Sequence, residues 1–137
     1  MLEIPQLEGV PDPVGPYSQV ALVSPGARVA LLAGQVAVDR DGTLVGPGDF
    51  RVQCRQVLSN LRDVLAACGS SFDRVAYLRG YVVNAADLPV FGEERVRFFD
   101  EMGLRVRPPA TTILVPGLYR PEYLVEIEAV AVVPDAT

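Results

Sequence analysis

Short β-type runs and two segments of helical period, in the order β-β-β-α-β-α-β-β, predict an α+β fold: a mixed sheet with two helices packed on one face. Three observations support this. Strand–helix–strand units occur twice, and such units favour right-handed crossovers that put both helices on the same side. The last run, Leu124–Val132, is apolar on both faces except at Glu126 and Glu128, as expected of a strand covered on both sides. A chain of 137 residues with 50% apolar composition holds one core, so residues 1–137 are read as a single domain.

The elements follow in order. Residues 1–16 carry Pro5, Pro11, Pro13 and Pro16 and read as an extended arm. Gln19–Val23 and Val29–Ala33 are β-type runs around the turn signal Ser24-Pro25-Gly26. A third run, Gln35–Val38, ends at Asp39-Arg40-Asp41-Gly42. Gly34, between the second and third runs, predicts a bulge or a close backbone approach. Asp49 is a plausible N-cap for a helix whose core stripe is Cys54, Val57, Leu58, Leu61, Leu65 and Cys68, with Gly69 as its stop. Arg74–Asn84 contains a strand with Val75, Tyr77, Tyr81 and Val83 on one face. The second helix is expected to be capped by Asp87, to carry Pro89 in its first turn, and to bury Phe91, Phe98, Phe99 and Met102 before Gly103 ends it. The strands Thr111–Val115 and Leu124–Val132 complete the chain.

Composition excludes several chemistries. There is no His and no Lys, so all 12 basic residues are Arg. Imidazole-based triads and most zinc chemistry are thereby excluded, as are Schiff bases through lysine and the P-loop lysine. The net charge of −5, without a basic stripe, argues against nucleic acid as a partner. No run reaches about 18 apolar residues, and the N-terminus lacks a signal pattern, so the expectation is a soluble, cytoplasmic protein with no membrane partner. Cys54 and Cys68 lie fourteen apart on one helix, roughly 21 Å, too far for a disulfide, and read as reduced core cysteines.

The last strand concentrates the chemistry. Alternation places Glu126 and Glu128 on one face with Leu124, Val130 and Val132, and Val125, Ile127, Ala129 and Ala131 on the other. Carboxylates in so apolar a strand need partners or the wet rim of a cavity. Glu126 reads either as a general base or as a structural carboxylate, and Glu128 as structural. Two helices cover only one face of the sheet, so the other face calls for oligomerisation.

Four segments carry a resemblance. Gly15-Pro16-Tyr17-Ser18-Gln19, Leu32-Ala33-Gly34-Gln35, Arg107-Pro108-Pro109-Ala110-Thr111-Thr112 and Val125-Glu126-Ile127-Glu128-Ala129 resemble, in order, motifs of the Rid (reactive intermediate deaminase), or YjgF, family. The resemblance covers about residues 12 to 133. It implies a chorismate-mutase-like fold and a homotrimer with three small-metabolite pockets between subunits. It also implies hydrolysis of enamines or imines such as 2-aminoacrylate without metal or cofactor. Glu126 would then hold or activate the attacking water, with Tyr17, Gly34, Thr111 and Thr112 around the substrate.

The chain departs from the family pattern where it matters most. Ala110 stands where the resemblance places a carboxylate-gripping arginine, and alanine offers neither charge nor donors. Arg120 and Arg79 are the candidate substitute anchors. A non-catalytic small-molecule-binding or regulatory protein using the same pocket is the second expectation.

Overall fold

The computed structural model describes residues 1–135. Its main sheet has the order β3 (Arg28–Gln35), β6 (Val125–Val133), β4 (Val75–Val82) and β5 (Ala110–Leu114). β6 runs antiparallel to both neighbours, whereas β4 and β5 are parallel. A separate two-residue ribbon pairs β1 (Leu2–Glu3) with β2 (Leu22–Val23). Both helices, α1 (Phe50–Ala67) and α2 (Leu88–Glu101), pack on one face, as expected from the strand–helix–strand units. Cys54, Val57, Leu58, Leu61 and Leu65 of α1 and Phe91, Phe98 and Phe99 of α2 form one core with Leu78, Val82, Val125, Ile127 and Ala129 of the sheet. Among the described residues, no helix is long and apolar enough to cross a membrane.

The element string matches the expectation, but its first members differ. β3 runs on through Gly34 to Gln35, so Gln35–Val38 is not a separate strand. The irregularity falls inside one strand: the β3–β6 register shifts between Leu32 and Gln35, a bulge at Gly34. Gln19–Val23 contracts to Leu22–Val23, and it pairs with a piece of the proline-rich arm. The reason lies at Ser18, whose hydroxyl donates to the Arg107 carbonyl at 2.6 Å and whose N–H donates to the Pro108 carbonyl. The loop before β2 is thereby committed to a different partner.

Local signals were mostly honoured at α1. The Asp49 carboxylate accepts from the Val52 N–H at 3.2 Å, and Gly69 adopts φ +84 at the helix end. Cys68 is a correction, because it caps α1 beyond the last buried turn and is exposed. Cys54 is buried, and burial pushes its thiol up to about 12, so it stays protonated and inert.

α2 departs in two places. Asp87 makes no capping bond, because Ala85–Asp87 already form a 3-10 turn that leads into the helix. Met102 lies past the end of α2 and is exposed, while Glu94 and Arg95 are buried with the phenylalanines. The buried Glu94 carboxylate is met by Arg51 of α1 at 2.8 Å.

On β4 the register shifts between Val75 and Tyr77. Val75 therefore enters the core, while Tyr77, Arg79 and Tyr81 share the face without helices. Glu126, Glu128 and Val130 lie on the same open face, and Val125, Ile127, Ala129 and Ala131 are buried in the core, as the alternation predicted. At the strand's ends it fails, because Leu124 packs against the core and Val132 is buried. Leu31 of β3, opposite Val130, is 81% exposed on that face.

Candidate functional site

A cavity of about 490 Å³ opens where the Gly15–Gln19 loop meets the start of β5. The two Ser18 bonds to Arg107 and Pro108 dock that loop, which carries Tyr17 beside the strand. Parallel pairing with β4 sets the faces of β5. Ala110 lies beside Leu78 and Thr112 beside Gly80, on the helix side, whereas Thr111 lies beside Arg79 on the open side. The Tyr77 hydroxyl donates to Thr111 Oγ1 at 2.7 Å, closing one wall.

Arg95 forms the floor of this cavity. Its residue is 9% exposed, and its guanidinium lies over the Phe91 ring at 4.4 Å from the centroid. Among the described residues it has no ion pair, and its buried Nε has no hydrogen-bond acceptor. Burial lowers its pKa from the usual arginine value. No Asp or Glu lines the cavity. Its polar groups are hydroxyls, an amide and one guanidinium. The Ser18 and Tyr77 hydroxyls and the Gln19 amide already donate elsewhere, so the guanidinium is the donor best suited to an anion.

Sequence reasoning missed Arg95, although a signal was available. It stands four residues after Phe91 and three before Phe98, on the stripe that predicted the buried face of α2. A charged residue on a buried stripe is the kind of exception that marks a site.

The other predicted residues gather on the open face of the sheet. Glu126 packs over Gly34, where a Cβ would come within 2.7 Å of the Glu126 Cδ, so only glycine leaves the carboxylate room. The Glu126 pKa is raised, first by burial and second by the charge of Glu128. Among the described residues Glu126 has no hydrogen bond and no ion pair. Glu128 has both, accepting from the Tyr81 hydroxyl and lying 3.6 Å from Arg79.

Arg79 is thus drawn toward Glu128, and it also lies over the Tyr77 ring at 5.5 Å. Arg120 is exposed on the loop before β6 and lines no part of the cavity. Within one chain, then, Tyr17, Thr111 and Thr112 come together, and Gly34 and Glu126 come together elsewhere. β5 is an edge strand, and Glu126 lies two strands away on β6. Among the described residues, neither Gly34 nor Glu126 lines the cavity beside Tyr17 and Thr112.

Comparison with known proteins shows the family. A family model described as Endoribonuclease L-PSP matches residues 8–133. A RutC family protein of Pyrococcus horikoshii is 31% identical over 131 residues, 96% of this chain and 98% of that protein. The 3-aminoacrylate deaminase RutC of Acinetobacter baylyi is 28% identical over 124 residues, 90% of this chain and 92% of its own length. Among solved structures, a member of the conserved Rid protein family from Yersinia pestis superposes with a TM-score of 0.84 at 33% identity, covering 96% of this chain and 98% of its own.

Proposed function

This chain belongs to the Rid, or YjgF, family, and on that premise we propose that it is a homotrimeric deaminase of small enamines or imines, with its pockets between subunits. One observation carries the proposal: the residues that would bind the substrate and the carboxylate that would activate water lie in separate places within one chain. The Tyr17–Thr112 cavity needs a base, and the open face that bears Glu126 is partly apolar and uncovered. A neighbouring subunit seated on that face would bury Leu31 and bring one chain's Glu126 to another chain's cavity. The relative named 3-aminoacrylate deaminase supports the reaction class.

The chemistry needs only water and a base. The enamine tautomerises to the imine, and water adds to the C=N carbon as Glu126 takes its proton. Glu126 passes that proton to nitrogen, giving a carbinolamine. The carbinol hydroxyl then gives up its own proton, which reaches nitrogen as the C–N bond breaks, so that ammonia leaves and a carbonyl remains. A carboxylate whose pKa is raised by burial suits this transfer. The substrate class is small molecules rather than RNA, because the chain carries −5 net charge and no His.

The test is ammonia release from freshly generated 2-aminoacrylate and 3-aminoacrylate, comparing wild type with Glu126→Gln. Turnover lost in the variant supports the reading. Equal turnover in both removes Glu126 from catalysis. A second reading, a binding protein without turnover, is favoured by Ala110 alone. Ligand-raised melting temperatures without ammonia release would establish it.

A further inference from the structure

We infer that Arg95 is the carboxylate anchor of the Tyr17–Thr112 cavity, supplying from α2 the guanidinium that Ala110 does not supply from β5. The inference rests on reading this cavity as the metabolite site. It identifies the ligand class as small acids, with the carboxylate set against Arg95.

Four observations converge. The first is an imbalance: Arg95 is 9% exposed, yet among the described residues it has no counter-ion and a buried Nε without an acceptor. Buried charges are ordinarily paired, and buried polar atoms ordinarily bonded. A negatively charged ligand at the cavity end of the guanidinium supplies the missing counter-charge. The second is placement, since Arg95, Ala110, Thr111, Thr112 and Tyr17 line the same cavity.

The third is rigidity. The guanidinium carbon lies 4.4 Å from the centroid of the Phe91 ring, and Phe91 is itself seated on Gly80, where a Cβ would come within 2.5 Å of the ring. A guanidinium held against a rigid ring is placed in advance for a carboxylate. The fourth is space. Ala110, beside Leu78 on the helix side, keeps its part of the wall small, and the volume of about 490 Å³ accommodates a small organic acid. With no acidic residue in the lining, nothing in the cavity competes for the guanidinium.

The arrangement is a relocation of charge. The same cavity is served by an arginine that enters from a helix rather than from the neighbouring strand. Arg79 and Arg120 do not take this role, since neither lines the cavity.

The experiment measures pyruvate and its uncharged analogue pyruvamide by titration calorimetry on the full chain, with 2-aminoacrylate turnover followed in parallel. Wild type is expected to prefer pyruvate. Arg95→Gln is expected to lose that preference by about ten- to a hundredfold, as one charge-assisted pair should. Arg95→Gln combined with Ala110→Arg is expected to regain it. If the Gln variant does not fold, Arg95→Lys keeps the charge without the fork and should bind pyruvate more weakly than wild type while still preferring it over the amide.

Wild type without a preference for the acid would overturn the inference, as it would be if a neighbouring subunit's carboxylate already neutralised Arg95. A preference unchanged in Arg95→Gln, or wild-type affinities in Arg95→Lys, would overturn it equally. Turnover with no Arg95-dependent preference sinks the anchor and leaves the deaminase. Arg95-dependent binding without turnover does the reverse.

Discussion

Glu126 and Gly34 form a matched pair: the carboxylate of one occupies the space that a side chain on the other would fill. Gly34 sits at the β3–β6 bulge, so the strand irregularity and the free carboxylate are one feature. The bulge is where the sheet makes room for its unpaired acid.

Gly34→Ala should therefore displace the Glu126 carboxylate rather than unfold the protein. The clash involves the end of a flexible side chain, so the expected loss of stability is under about 1 kcal/mol. Misplacing a base by about 1 Å can cost roughly a hundredfold in rate, and turnover of 2-aminoacrylate should fall by that order. A variant with wild-type kcat/KM would show that the pair has no part in catalysis.

Burial and the Glu128 charge raise the Glu126 pKa. A base acts when deprotonated, so activity should fall as pH drops through this raised value. The acid limb of kcat/KM should lie above the ordinary carboxylate value of about 4.3. Glu128→Gln removes the second cause and should move the limb to lower pH. A pH–rate profile with an unmoved limb would assign the base to another group.

Gly80→Ala tests the support beneath Arg95. A Cβ there would overlap Phe91 Cε2 and Cζ, which are closed in by the core, so the ring must shift. Overpacking of this kind costs about 1–3 kcal/mol. Urea unfolding should show that loss, and pyruvate affinity should fall with it because the guanidinium rests on the ring. Retained affinity in a destabilised variant would mean that the stack does not orient Arg95.

Gln53 holds the start of the Glu126 strand. Fully buried in α1, its amide donates to the carbonyls of Gly46 and Glu122 and accepts from the Leu124 N–H, at 3.1, 3.0 and 2.9 Å. Gln53→Leu leaves these backbone groups without partners and should cost about 3 kcal/mol. A lowered denaturation midpoint at unchanged m-value is the expected readout. Unchanged stability would mean that water replaces the amide.

Much of the fold was legible because its signals are local. The Asp49 cap, the Gly69 stop and the Gly34 irregularity each depend on a few neighbouring residues and their backbone preferences. Periodicity did the same for β6, placing Glu126 and Glu128 opposite Val125 and Ile127. Local reading failed where a remote partner intervened. Ser18 was drawn to Arg107 and Pro108 rather than into a strand, and the turn at Ala85–Asp87 displaced the expected cap. Met102 and Cys68 continued their stripes in sequence, but each helix had already ended.

By itself the sequence determined the element order, the alternation along β6 and the chemistry left available once His and Lys were absent, since these depend on residue type and spacing alone. Only the tertiary structure decided that Arg79 belongs to Glu128, that Arg120 stands apart, and that Arg95 meets Ala110 and Thr112 in one cavity. It also set Glu126 two strands from that cavity. The physical reason is that a side chain's partners are fixed by strand order and by which helix face is pressed to the sheet. Those are cooperative properties of the whole packed chain, carried by no single segment of it.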